Sequence, residues 1–218
     1  DIYFPSNLGT NEKLITLLNR ASQTLCDWFS KADKNGPLPF DESFNCIMPA
    51  EDGKSEEDLF SEIESLLNNS FNPVHPGSLA HLDPPPLIFS ILGDLIAAGL
   101  NNNLLAFELS PGVTLLEESL CKWFAMKIGF NDSSGGIAAS GGTLSNLNAL
   151  IAARNNAGLG SDPNCVLIVS EDAHSSFIKC TRIMGLDDKN LVRIKTDNKG
   201  CMDIQNLRKT LDDCLIEN

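Results

Sequence analysis

Apolar positions recur with two different periods along this 218-residue chain, and the change falls near residue 130. Before that point the spacing is helical. Residues 11–30 bring Leu14, Leu17, Leu18, Leu25, Trp28 and Phe29 close to one face, which predicts an amphipathic helix. Asn35-Gly36-Pro37-Leu38-Pro39 ends it, and the stretch to Gly53 reads as irregular. Ser55 with Asp58 makes a capping-box-like start for a second helix carrying Leu59, Ile63, Leu66 and Leu67. Asn72-Pro73-Val74-His75-Pro76 reads as extended, because a residue before proline is kept out of the α region. From Pro86 to Asn103 the pattern is helical and apolar on nearly every side, which predicts a buried helix. Pro111 to Gly129 predicts another, with Leu115, Leu116, Leu120, Trp123, Phe124 and Ile128 as its buried side.

Beyond residue 130 strands and helices alternate. The pattern predicts a short strand at 136–139, a helix at 143–157, a strand at 165–170, a helix at 174–184, a strand at 191–195 and a helix at 203–216. Such alternation means a mainly parallel sheet with helices on its faces. The chain is therefore helical first and α/β afterwards, with no internal repeat.

Composition changes this picture only a little. Hydrophobic residues at 42% and charged residues at 21% are ordinary for a soluble globular protein of one or two domains. A net charge of −13 argues against a nucleic-acid surface, where lysine and arginine would cluster. The longest nearly apolar run, Leu87 to Leu100, is too short to span a bilayer and contains Asp94, so no membrane partner is expected. Seven cysteines, scattered without a CxxC pair, suit reduced thiols and a cytoplasmic location better than a disulfide framework. Three histidines, none at ligand spacing from a cysteine pair, give no expectation of a metal. The absence of an initiator Met, and an end at Leu215-Ile216-Glu217-Asn218 within a predicted helix, lead us to expect a fragment.

Candidate chemistry gathers in two stretches. Ala139-Ser140-Gly141-Gly142-Thr143-Leu144-Ser145-Asn146 follows an apolar run and opens a helical pattern through Leu147, Leu150 and Ile151. Two glycines allow a tight turn and a close approach, and free N–H groups at a helix start face an anion. A plain strand-to-helix turn has the same form. The spacing Gly136-x-x-x-x-Gly141-Gly142-Thr143 also copies a P-loop, but Gly142 stands where its lysine belongs. No dinucleotide fingerprint or nucleophile elbow occurs. The second stretch, Ser170-Glu171-Asp172-Ala173-His174-Ser175-Ser176, follows a β-branched run and sets one imidazole at the same sheet end, where open α/β sheets bind ligands. His174 is either a capping residue or a flat partner for a planar phosphorylated cofactor.

In order, His75-Pro76, His81-Leu82, Pro84-Pro85, Asn101-Asn102-Asn103, Glu108-Leu109-Ser110-Pro111, Leu116-Glu117, Ser140 to Asn146, Ala152-Ala153-Arg154 and Ser170 to Ser175 resemble the group II pyridoxal-phosphate-dependent amino acid decarboxylases. That family includes the glutamate, aromatic amino acid, cysteine sulfinate and 2,4-diaminobutyrate enzymes. The resemblance runs from about His75 to about Asp203. It implies an α/β fold of the PLP-dependent transferase type (fold type I, aspartate aminotransferase-like), a three-layer parallel sheet, here incomplete. Residues 1–75 would be an N-terminal helical segment, and 76–218 the first part of the large cofactor-binding domain.

The resemblance also assigns roles. Gly142, Thr143 and Leu144 would hold the phosphate of pyridoxal 5'-phosphate, with Ser140 as a helper. His174 would stack on the pyridine ring and serve catalysis by moving a proton. His81 falls where members contact the substrate; His75 is a second histidine of the same region. From the residues themselves, Asn101 to Asn103 read as a helix C-cap or an entrance lining, Glu108 as a buried carboxylate or a surface charge, and Arg154 as a dipole-matching or packing residue at a helix end. The chemistry also needs a Schiff-base lysine after a histidine and an acid for the pyridine nitrogen. No His-Lys pair occurs here, and Lys179 reads as a solvent-facing charge. The expectation is an amino acid carboxy-lyase, a homodimer, whose 218-residue segment is inactive alone. The alternative is a truncated or degenerate homologue that binds a phosphate compound or a partner subunit without catalysis. Asp83 and Pro84 depart from the diaminobutyrate pattern that His81-Leu82 otherwise approaches, so the substrate stays open.

Overall fold

The computed structural model describes residues 4–7, 9–36, 51–79 and 82–216. Two compact units divide the chain, Asp1–Asn101 and Asn102–Asn218, and each is described by itself.

In the first unit, helices α1 (Glu12–Ser30), α2 (Ala32–Asn35), α3 (Glu56–Asn68) and α4 (Ile88–Leu100) follow one another. The half-buried side of α1 carries Leu17, Leu18, Leu25, Trp28 and Phe29, as its spacing predicts. It meets α3 through Phe60, which is buried. The Arg20 guanidinium lies 4.0 Å over the Phe60 ring and forks onto Glu57 with two bonds of 2.7 Å. A planar fork suits both tasks at once, covering an aromatic face while pairing a carboxylate. Lys13 pairs with Glu56 along the same seam. Ser55 caps α3, its Oγ accepting from the Asp58 N–H at 3.1 Å. Buried Asn72 then ties the following turn back, donating from Nδ2 to the Trp28 carbonyl at 3.2 Å. The predicted irregular stretch of 37–50 lies outside the described residues.

Helix α4 corrects one expectation. Its residues are apolar all round, yet none is buried, and Ile88 and Phe89 are 77% and 83% exposed. The pattern states a need for cover; the described residues do not supply it. Asn101 ends the helix in the left-handed region (φ 45°), where asparagine is tolerated, and fits the C-cap reading.

The second unit opens with α5 (Pro111–Lys127), whose proline at the first turn gives up an N–H that has no partner there in any helix. Its predicted buried side is also a correction. Leu116, Trp123 and Phe124 are more than half exposed, and Ala125 alone is buried on this helix. Residues 136–139 run extended without ladder pairing, contrary to the predicted strand, although the Ala138 N–H is held by Glu117 Oε1 at 2.7 Å. Then come α6 (Gly142–Asn156), β1 (Leu167–Ser170), α7 (Ser176–Ile183), β2 (Leu191–Ile194) and α8 (Ile204–Ile216).

Strands β1 and β2 are parallel, in register from Leu167 beside Leu191 to Ser170 beside Ile194. A parallel pair cannot be joined by a tight turn, so α7 makes the crossover. The core lies beneath it, with Val169, Cys180, Thr181, Leu186 and Ile194 buried. Arg154 Nη1 donates to the Met184 carbonyl at 3.1 Å, joining the end of α6 to the end of α7 as a packing residue. Both strands point their carboxyl ends the same way, and the residues 171–175 leave from that end of β1. Among the described residues no helix is long and apolar enough to cross a membrane.

Candidate functional site

The start of α6 is built from backbone alone. Gly141 precedes it in extended conformation, and its carbonyl accepts the first helical bond, from Ser145 N–H at 3.1 Å. Among the described residues nothing accepts from the N–H groups of Gly142, Thr143 or Leu144, and no side chain caps them. A Cβ built on Gly141 or Gly142 would meet nothing within 4 Å, so the approach is open. Three unpaired donors, a helix dipole and the Thr143 hydroxyl in one turn fit a phosphate ester. Ser140 is exposed beside them.

His174 stands on the segment that leaves β1, and it is exposed. Its Nδ1 accepts from the Ser176 N–H at 3.1 Å and lies 2.9 Å from Ser176 Oγ. Ser176 is fully buried and receives a further bond from Asn146 Nδ2 at 2.9 Å. Asn146 sits one helical turn beyond Gly142. Buried Cys180 reaches the same turn, its thiol 3.6 Å from the Thr143 carbonyl. The imidazole is therefore joined to the helix that offers the free donors. Asn146 and Ser176 are functional neighbours that sequence reasoning quoted but did not assign. The signal was the spacing His174-x-Ser176 at a helix start, where a side chain can take the backbone N–H two residues on.

The His174 segment is anchored at the end of β2. Glu171 N–H donates to the Ile194 carbonyl at 2.8 Å, and Arg193 Nη1 donates to the Glu171 carbonyl at 2.9 Å. Glu171 Oε1 accepts from the Thr196 N–H at 2.7 Å, and the Thr196 hydroxyl stands 3.1 Å from it and 2.8 Å from Asp172 Oδ2. The Thr196 N–H, and then its hydroxyl, hold the Glu171 carboxyl below the ordinary carboxylate range.

The remaining expected residues fall elsewhere. His75 Nδ1 accepts from the Gly77 N–H at 2.9 Å, a local turn contact. His81 lies outside the described residues. Glu108 is exposed, which corrects the buried-carboxylate reading; its 3₁₀ turn leaves the side chain in solvent. Lys179 faces solvent as expected.

The structure thus joins unpaired helix-start donors on α6, through Asn146 and Ser176, to an imidazole on the segment that leaves β1. Residues 42–217 match the profile of the pyridoxal-dependent decarboxylase conserved domain. The chain belongs to this family. Its relatives include an L-2,4-diaminobutyrate decarboxylase of Acinetobacter baumannii, 29% identical over 76% of this chain and 36% of that protein. An aromatic-L-amino-acid decarboxylase of Bacillus atrophaeus is 30% identical over 74% of this chain and 34% of that one. Among solved structures, the glutamate decarboxylase domain of a Vibrio parahaemolyticus diaminobutyrate-pyruvate transaminase and L-2,4-diaminobutyrate decarboxylase superposes with a TM-score of 0.86. That likeness carries 22% identity, covering 98% of this chain and 50% of that chain. The chain thus spans about a third of the curated relatives it matches and has the fold of the pyridoxal-dependent decarboxylases, with an incomplete parallel sheet. The match begins well upstream of His75, where the motifs of the sequence first became legible.

Proposed function

We propose that this chain contributes the phosphate cradle and the ring-stacking histidine of a pyridoxal-phosphate-dependent amino acid decarboxylase, a carboxy-lyase that yields an amine and CO₂. The observation that carries the reading is the set of unpaired N–H groups at Gly142, Thr143 and Leu144 on the helix that also tethers His174. When bound, the pyridoxal ring supplies the sink for the electron pair left as CO₂ departs. The residues of this chain do the rest of what is proposed here. Gly142, Thr143 and Leu144 donate to the phosphate, and the Thr143 hydroxyl adds a fourth contact. His174 would lay its imidazole on the ring and present its Nε2–H to the substrate as a hydrogen-bond donor. His81 is proposed to contact the substrate.

The lysine that must follow a histidine is not in this sequence, so these 218 residues are proposed to be inactive by themselves. The second reading is a homologue that binds a phosphate compound or partner without turnover. A homodimer is proposed from the uncovered apolar side chains of α4 and of α5. A cytoplasmic setting is proposed from the cysteines of the sequence, scattered without a CxxC pair.

Titrating the protein, at its native length, with pyridoxal phosphate tests the cradle. Wild type should bind with a change in cofactor absorbance. Gly142→Pro keeps a helix start that proline favours but removes one donor, and should weaken binding at least about tenfold, as for a lost charge-assisted bond. Binding that is absent in wild type, or unaltered in Gly142→Pro, sinks the assignment. Release of CO₂ from a panel of basic, acidic and aromatic amino acids separates the enzyme from the non-catalytic homologue.

A further inference from the structure

We infer that Asn146 and Ser176 are positioning residues which fix the direction of the His174 ring and the nitrogen that carries its proton. The inference rests on the reading of His174 as the ring-stacking residue, and it deepens that reading. One donor in the group cannot reverse. The Ser176 backbone N–H points at Nδ1 from 3.1 Å and favours Nδ1 as acceptor with the proton of the neutral ring on Nε2, a preference that the side chains of Ser176 and Asn146 complete.

The side chains follow from this. Ser176 Oγ, 2.9 Å from the same Nδ1, can approach an acceptor only by donating its hydroxyl proton. Its lone pairs then face Asn146, whose amide must present Nδ2, as it does at 2.9 Å. A flipped Asn146 would put its oxygen against Ser176, claim the hydroxyl proton and leave two acceptors facing each other at Nδ1. Burial closes off the alternatives, because Ser176 has no exposure and its hydroxyl cannot turn to water.

The consequence reaches the candidate site. A histidine ring turns broadly about its second torsion, and a single backbone bond would leave exchange of its edges open. The second bond from Ser176 removes that freedom. Asn146 stands one turn along α6 from Gly142, so the ring, held by Ser176 of its own segment, is tied through Asn146 to the helix that carries the cradle. Orientation relative to a bound phosphate is set before any ligand arrives.

The test reads the imidazole nitrogens directly, by NMR of the native-length, cofactor-free protein labelled with ¹⁵N-histidine. His174→Gln identifies the resonances. Wild type should show an unprotonated, hydrogen-bonded Nδ1 and a protonated Nε2. Ser176→Thr, which keeps the hydroxyl, should preserve that pattern, while Ser176→Ala should mix the two tautomers. Asn146→Asp is nearly isosteric but accepts the Ser176 proton, and should move population toward Nδ1–H. It decides the matter if Ser176→Ala fails to fold. Cofactor affinity should fall about fivefold in Ser176→Ala, the effect of one hydrogen bond. An unchanged nitrogen pattern in Asn146→Asp overturns the inference. Failure of wild type to bind pyridoxal phosphate overturns only the stacking role, since the nitrogen shifts are read without cofactor.

Discussion

Glu171 shows how much of the site rests on single contacts at the ends of the strands. Its carboxylate accepts from Thr196, and its backbone takes bonds from Arg193 and gives one to Ile194. Because Thr196 lowers the Glu171 pKa, the stabilising contribution is whole above the ordinary carboxylate value and is lost as pH falls through the lowered one. Glu171→Gln should therefore be slightly less stable than wild type near pH 7, and the two unfolding curves should converge in acid, below the lowered carboxylate value. Urea titrations at both pH values check this, and a difference that persists in acid would place the effect elsewhere. Single residues were legible to different depths. The glycine pair and the lone imidazole stood out in the sequence, because their backbone freedom and ring chemistry are properties of the residue itself. The Asn146–Ser176 bond did not. Thirty positions separate its ends, and only the packing of α7 on α6 brings them together.

At the scale of elements, local rules held, and among non-local ones the parallel crossover held while the strand at 136–139 did not. The start of α3 was readable because a cap needs only Ser55 and the N–H of Asp58. Ser55→Ala should cost about 1 kcal/mol, measured as a shift in the thermal or urea midpoint. An unaltered midpoint would mean that the α1–α3 seam alone holds this helix end. The crossover β1–α7–β2 was equally legible, since β-branched runs and a helical stretch between them admit one arrangement. Residues 136–139 were not, although their composition matches a strand. An extended segment becomes a strand only by pairing with an edge, and the described residues give it a carboxylate, Glu117, in place of a ladder.

Considered as a whole, the molecule leaves much of its apolar surface in water. Leu87, Ile88, Phe89 and Ile96 on or beside α4, and Leu115, Leu116, Trp123 and Phe124 on α5, are each at least half exposed. Periodicity named these side chains as core, and its error was one of supply: it counts what must be covered, while cover comes from elsewhere. Patches beyond a few hundred Å² are uncommon on isolated soluble proteins. Sedimentation of the native-length protein should show a dimer at micromolar concentration, and Phe124→Glu should raise the dissociation constant at least about tenfold, or turn dimers into monomers. A monomeric wild type would refute the proposed pairing. The uncovered faces carry one more consequence. Attraction between apolar surfaces comes chiefly from the entropy of released water near room temperature, and it fades as water is cooled. A second copy covering α4 and α5, as proposed, should thus be held less firmly in the cold, and refrigeration, the usual safeguard for a purified protein, should loosen this pairing.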